Sequence, residues 1–518
     1  MARETLPARV EALFNERKIW EALWDTVYRY VAPERATIFR DNLSPQEIQT
    51  EVFDSTAIDA AERLTNLLIS GLIPPWQNWF RLQAGLGITE RADREKLRPI
   101  FEDAQLKMAD LLRKGRFYEE MQPVLIDRIV GGTGCLEVTP VNGHLEFKAV
   151  SLSEIAIAED AYGRVSMVAR RTTWPTKSLL DEYGDKLSST WKAQYKDKPL
   201  ARHPVIYVTE RQADGQWQWA QMLNEADPGK GGPSIELERS VDPLPRLLVT
   251  RWSKMPGSPY GRGPALRVLA DVRMLNKVKE LSIKNAALAV SGVYTVVNDG
   301  VINPYTLTIE PGARIPVMSN NPNDRSIEAL PTSTDFNVGM LVMDDLRNSI
   351  KQAFMADQFQ PLGRTPASAT EIAERTRVIA SDMGATLARL QDEVLTPVLQ
   401  WTLWWLRQSG EVSAELKADG QAGQVQYVSR LSQAQWAEEK SNLLNLASIA
   451  AQFGQFDPRA GLTINTEAAI RRVAELDNIP TSLLRSTEEV QELIDEANAK
   501  QPEGPPQEGG NPQAPQPQ

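Results

Sequence analysis

Residues 361–377 read "PLGRTPASATEIAERTR", and two unlike kinds of chain meet there. Pro361, Gly363 and Pro366 break regular structure, because proline lacks a backbone donor and glycine is conformationally loose. Ser368 stands three residues before Glu371, the spacing of a capping box. The serine hydroxyl can accept the Glu371 amide while the Glu371 carboxylate reaches back to the serine amide. Apolar residues recur at Ile372, Ile379, Met383, Leu387, Leu390, Val394 and Val398, steps that keep one helical face. The pattern predicts a helix over 369–408, closed by Ser409-Gly410 and kinked late by Pro397. At its full extent it would span roughly 60 Å, longer than a small domain is wide. A helix of that length needs neighbours to bury its sides.

Upstream, Leu6 to Val31 carries Val10, Leu13, Trp20, Leu23, Trp24, Val27 and Val31 on one stripe, and Pro33 ends it. "DSTAIDAAERLTNLLISGL" (54–72) opens on capping residues and stops at Pro74-Pro75. The aromatic stretch "WQNWFRL" follows, and then a helix over 91–114 with Gly115 at its end. Between about 131 and 252 the pattern turns to β: hairpins are marked by Asn142-Gly143, by "EDAYGR" and by Asp214-Gly215. A short helix over 177–183 interrupts this antiparallel region. Helix returns from Ser258, with Leu266, Leu269, Val272, Leu275 and Val278 in a stripe. A small β-rich insertion over 292–334 separates it from a further helix over 335–355. "GQVQYVSR" reads as a lone returning strand, and 431–500 as helical, with a second capping box at Ser486 and Glu489. The tail "QPEGPPQEGGNPQAPQPQ" is proline, glutamine and glycine at 14 of 18 positions and is expected to be disordered. The class is α+β.

A chain of 518 residues holds several cores, and its 42% hydrophobic and 24% charged residues suit a soluble globular protein. No apolar run is long enough to cross a bilayer. The opening "MARETLPARVEALFNERKIW" puts charges where a signal peptide needs apolar residues, so the protein is expected to stay in the compartment where it is made. One cysteine, Cys135, leaves no intrachain disulfide framework. The net charge of −11 argues against a tight DNA binder, which neutralises phosphates with basic residues, but not against a surface that DNA slides past.

Catalytic signatures are missing. His144 and His203 are the two histidines, each in a β run outside any motif, and both read as surface strand residues. "GGTGC" (131–135) and "GKGGPS" (229–234) lack the spacing of a nucleotide-binding loop and read as turns. Asp344-Asp345 and Glu371/Glu374 fit solvated helix faces and caps better than a metal set. Trp217 and Trp219 share a strand face and are expected to pack on a neighbouring sheet rather than stack on bases. No catalytic residue, metal or cofactor is expected.

"FDSTAIDAAERLTNLLISGLIPPWQNWFRL" (53–82), "YGRGPALRVLADVRMLN" (260–276) and "PASATEIAERTRVIASDMGATLARLQDEVLTPVL" (366–399) resemble the head-to-tail connector, or portal, proteins of short-tailed phages. The order of elements agrees from residue 9 to about 480. The resemblance implies a dodecameric ring at one capsid vertex, located in the virion and in the host cytoplasm during assembly. Double-stranded DNA would be packaged, retained and ejected through it. Implied partners are the terminase motor, the major capsid and scaffold proteins and the tail adaptors, with no membrane.

In that frame residues 1–261 form a wing, 262–291 and 335–355 the two stem helices, and 292–334 the clip. Residues 356–369 form a tunnel loop, 370–430 the long wing helix with the returning strand, 431–500 a helical crown and 501–518 a disordered tail. The tunnel-loop candidates are Gln358, Phe359, Gln360, Pro361, Leu362, Gly363, Arg364, Thr365 and Pro366, with Ser368 and Glu371 capping the next helix. Asn320, Asn321, Pro322, Asn323 and Asp324 are the candidate clip contacts. The first stem helix is locally basic, and Arg273, Lys277, Lys279 and Lys284 either face DNA or pair with a neighbouring subunit. The rival expectations are a head-completion or scaffold protein without a channel, and a metal-dependent nuclease of the packaging machinery.

Overall fold

The computed structural model describes residues 5–39, 52–85, 91–141, 143–226, 234–291, 294–296, 317–321, 324–325, 327–329, 336–356, 382–413, 423–428, 430–454, 464–476, 485, 489–490 and 492–493. Helices and antiparallel sheets share one main core, in keeping with the α+β expectation.

Helix α1 (Leu6–Val31) and helix α2 (Thr56–Leu72) fall where their apolar stripes put them. Trp24, Val27, Leu64 and Leu68 are buried in the main core, and the Trp24 indole donates to the Gly131 carbonyl at 3.1 Å. Helix α3 (Arg91–Lys114) ends at Gly115, where a side chain would collide with the Leu145 carbonyl. Helix α4 (Phe117–Val130) is an addition to the sequence expectation. A single turn separates it from α3, so Gly115 marks a joint between two helices rather than the start of the β region.

Strand β1 (Phe80–Ala84) lies in the aromatic stretch after the proline pair. Strands β2 (Thr133–Val141) and β3 (His144–Val150) form the expected hairpin, with Val141 facing His144 and Gly143 at φ 89°. Strands β4 (Ile155–Glu159), β5 (Val165–Pro175), β6 (Arg202–Arg211), β7 (Trp217–Leu223) and β8 (Ile235–Asp242) make a five-stranded antiparallel meander in that order. Helices α5 (Thr176–Tyr183) and α6 (Ser189–Tyr195) interrupt it between β5 and β6. Strand β9 (Leu247–Arg251) returns to β2, giving a second sheet ordered β3-β2-β9. A second, smaller core joins Val10 and Phe14 of α1 to Ala156, Met167, Ala169, Ile206 and Val208 of the meander.

The expected helix from Ser258 begins later and breaks. Residues Pro264–Arg267 form one turn, α7, and α8 (Leu269–Ser291) follows after Val268. A close backbone crossing accounts for the late start. Gly132, at φ 82°, lies against Gly261, and Gly263 lies against the Ile129 carbonyl; a Cβ at any of the three would come within 2.3 Å of backbone oxygen. The turn of "GGTGC" is therefore one half of this crossing, and "YGRG" is the other.

In the insertion, β10 (Tyr294–Val296) pairs with β13 (Ile327–Ala329), and β11 (Asn320–Asn321) with β12 (Asp324–Arg325). Helix α9 (Phe336–Ala353) follows and ends at Met355, which sits at φ 56°. The described part of the long helix starts at Asp382. It comprises α10 (Gly384–Leu390), a π-turn over Gln391–Leu395 and α11 (Thr396–Gln408). Pro397 stands in the first turn of α11, and the wider π-turn before it takes up the missing donor.

The returning strand β14 (Gly423–Tyr427) is not alone: it pairs with β1, Leu82 opposite Val425. Trp79 beside this pair stacks on Phe117 and Tyr427 with ring centres 6.2 Å apart. Helices α12 (Arg430–Gly454) and α13 (Thr466–Leu476) complete the described chain's larger elements, and Arg472 joins them by an ion pair to Glu439 at 2.8 Å. Ser486 of the second capping box and the tail after 501 lie outside the described residues, while Glu489 is helical.

Candidate functional site

Helices α8 and α9, which flank the insertion, pack side by side through the buried residues Leu275, Met343, Leu346 and Ile350. Their other faces carry Met274, Leu281, Met340 and Leu341, the last 72% exposed. Apolar surface of that kind on two neighbouring helices is what a further chain would cover.

The base of the pair is fixed by buried polar groups. The Asn276 side-chain oxygen accepts the amides of Phe53 and Asp54 at 2.9 and 3.2 Å, while its nitrogen donates to the Val272 carbonyl. Arg347 of α9 reaches the same segment, donating to Asp54 at 2.8 Å and to Asp344 at 3.1 Å. Burial works to raise the Asp54 pKa, but hydrogen bonds from Thr56 and Arg347 outweigh it and hold the carboxyl below its usual range. Asp344 is thus an ion-pair partner, and among the described residues no group of three or more His, Cys, Asp or Glu side chains is placed to hold a metal.

Of the four basic candidates on α8, Lys277 and Lys284 both donate to Glu280, at 2.9 and 2.5 Å, and they hold its carboxyl below the usual range, Lys284 first. Arg273, one turn before Lys277, is exposed, and Lys279 is half-buried. One carboxylate thus offsets part of the charge of two of the four candidates. In the insertion, Asn320 faces Arg325 and Asn321 faces Asp324 across a tight ladder, while Pro322 and Asn323 lie outside the described residues. So do all the loop candidates from Gln358 to Pro366 and the cap pair Ser368 and Glu371.

The chain leaves α9 at Ala356 and is described again from Asp382, above a charged hub. Arg251 donates through Nε and Nη2 to Glu393 of the π-turn, at 2.9 and 2.7 Å, and through Nη1 to Glu159. Lys254 joins Glu159 at 2.8 Å. Arg128 of α4 is wholly buried beside them, its Nη2 on the carbonyls of Thr386 and Arg251 at 2.7 and 3.3 Å. Its Nε and Nη1 have no hydrogen-bond partner among the described residues. Burial pushes its pKa down to about 9, with Glu393 acting to raise it. Nothing in the sequence pattern marks this hub, because its members come from α4, β4, β9 and the π-turn.

His203 is the clearest correction to the sequence expectation. It is buried between Trp191 and Tyr195, with Thr176 Oγ1 2.9 Å from Nε2 and the Glu225 carboxylate 3.0 Å from Nδ1. A hydroxyl, an imidazole and a carboxylate in this order can do nucleophilic chemistry. Here Thr176 is 0% exposed and His203 1%, so the group fastens the α5–α6 segment to the sheet and has no opening for a substrate. His144 is half-buried, 3.4 Å from Glu146. Trp219 packs on Tyr207 of the adjacent strand in its own sheet and under Arg246. The Cys135 thiol is buried, which pushes its pKa up and leaves it unreactive.

The family model for bacteriophage head to tail connecting proteins matches residues 3–484. A probable portal protein of Bordetella phage BPP-1 is 26% identical over 449 residues, covering 84% of this chain and 80% of the relative. The portal protein of Salmonella phage epsilon15 is 20% identical over 527 residues, covering 96% and 91%. Two solved structures align at 14% identity. The neck of an empty gene transfer agent particle, computed with C6 symmetry, covers 75% of this chain and 85% of its own at a TM-score of 0.34. The virion of a native gene transfer agent particle covers 68% and 88% at 0.31. The chain belongs to the family of bacteriophage head to tail connecting proteins, and its role is that of the connector, or portal, between head and tail.

Proposed function

We propose that twelve copies of this chain close into a ring at one capsid vertex, through which double-stranded DNA is packaged, retained and later ejected. The observation that carries this is the family match across residues 3–484, which spans every large element described above. Residues 262–291 and 335–355, the α8 and α9 region, are the stem, and their exposed apolar faces are the surface that neighbouring copies bury. The β ladders of 292–334 are the clip, offered to the terminase motor and then to the tail adaptors. Residues 1–261, with the long helix and returning strand of 370–430, are the wing, and 431–500 the crown. The loop 356–369 faces the channel. Capsid and scaffold proteins meet the ring during assembly in the host cytoplasm, and the ring remains in the virion.

The chain does no chemistry of its own on this account. Its part is geometry and charge: an acidic ring repels DNA phosphates and lets the duplex pass, where a basic wall would hold it. The test is a head-assembly reaction supplied with motor and ATP. Heads built with the chain package DNA, and heads built without it do not; packaging by heads that lack it would overturn the proposal.

A further inference from the structure

Between α7, the segment after β9 and the start of α10 lies a cleft of about 750 Å³. Leu23, Trp252, Met255, Leu266 and Met355 supply its apolar walls, and Arg262 and Arg267 its charge. Both arginines are exposed, and neither side chain has a partner among the described residues. Behind the wall the buried Arg128 guanidinium sits 5.1 Å from the Trp252 ring centre and holds the carbonyl of Thr386, both lining residues. Among the described lining residues Asp382 is the one acid that stands against them, and Glu393 is bound by Arg251. The cleft is a positive, partly apolar concavity on a chain whose net charge is −11.

We infer that this cleft is the socket for an acidic, partly apolar segment of a neighbouring copy of the chain. The inference rests on the ring proposed above and adds where its subunits interlock. Copies carrying −11 each repel one another, so association needs a place where the local field is reversed. Two unpaired arginines backed by the buried Arg128, whose counter-charge Glu393 is shared with Arg251, make such a place. The apolar walls and the volume suit a few side chains of a peptide segment. A ring also requires two different patches to meet, and a socket on one copy filled by an acidic segment of the next satisfies that.

Full-length chain is separated, without DNA, into ring and monomer fractions, and both are treated with an arginine-selective dicarbonyl reagent. Peptide mass spectrometry then reads each site. Arg262 and Arg267 are expected to be modified in the monomer and protected roughly fivefold or more in the ring, as burial in a specific interface requires. Arg128 stays unmodified in both and serves as the internal control. Equal modification of Arg262 and Arg267 in the two fractions overturns the socket and leaves the ring standing. As a second readout, R262Q/R267Q should shift the ring–monomer midpoint to roughly tenfold higher protein concentration and flatten its salt dependence, while R262K/R267K restores most of the assembly. Assembly of the glutamine variant like the parent across a salt series contradicts the inference. A parent chain that never forms rings removes the ring and the socket together.

Discussion

Arg347 donates two hydrogen bonds to one carboxylate oxygen of Asp54, at 2.8 and 3.2 Å, from 293 residues further along the chain. The contact ties the helix after the insertion to the cap of α2, where Asp54 Oδ1 also accepts the Thr56 amide at 3.0 Å. The joint connects α9 to α2, whose Leu64 is buried in the main core.

Arg347→Ala should therefore lower the stability of the isolated chain by about 1–2 kcal/mol, since a mostly buried carboxylate loses its charged partner but keeps the Thr56 bonds. Arg347→Lys should recover only part, because an ammonium does not reproduce the two-pronged contact. Urea denaturation followed by tryptophan fluorescence checks this, and an unchanged midpoint for the alanine variant would count against the joint.

Asp127 gives a pH dependence of a recognisable sign. Burial raises its pKa from 3.8 to about 6, against the lowering effects of Arg35 and of the Tyr28 hydroxyl. The folded state thus takes up this proton before the unfolded state does. Its favourable contribution is full below pH 3.8 and is lost as pH rises through about 6. Asp127→Asn keeps an acceptor for Tyr28 and should remove that term. Relative to the variant, the parent should gain about 2 kcal/mol between pH 6.5 and pH 4. Parallel stability curves for the two proteins over that range would show that Asp127 titrates normally.

The parts of the fold that sequence periodicity conveyed are those set by local spacing. The stripe from Val10 to Val31, the Asn142-Gly143 hairpin and the Asp214-Gly215 turn each encode their element within a few residues. What escaped depends on distant partners. Strand β1 and strand β14 are each short and aromatic or polar, and only their pairing across some 340 positions makes them a sheet. His203 looked like a surface residue because a strand pattern does not reveal that Trp191 and Tyr195 cover it. The π-turn before Pro397 shares its apolar spacing with an ordinary helix. The hub of Arg128, Arg251, Glu159 and Glu393 is assembled from four elements, so no spacing announces it.

Arg364 is the one basic residue of the loop 356–369, flanked by Gly363, Pro361 and Pro366. With the loop facing the channel, one arginine per subunit makes a light grip on DNA, about 1 kcal/mol or less for each exposed contact and weaker in salt. Arg364→Ala should leave ring assembly and early packaging normal, while filled heads lose DNA sooner than the parent, more so at high salt. Equal retention across a salt series would remove Arg364 from the mechanism.

Deleting Asn320 to Asp324 removes the β11–β12 ladder without touching the helices of the stem. Rings should still form, and motor or tail attachment should fail in pull-down and in head-filling assays. Normal packaging and tailing by the deletion variant would place the partner contacts elsewhere.

The most direct test of the central claim is the native mass of the purified full-length chain under assembly conditions, by mass spectrometry from volatile buffer. Twelve copies of 57.8 kDa make about 694 kDa, and the account predicts a dominant species there, with rings of neighbouring copy number beside it. A chain that remains monomeric or dimeric under the same conditions would contradict it.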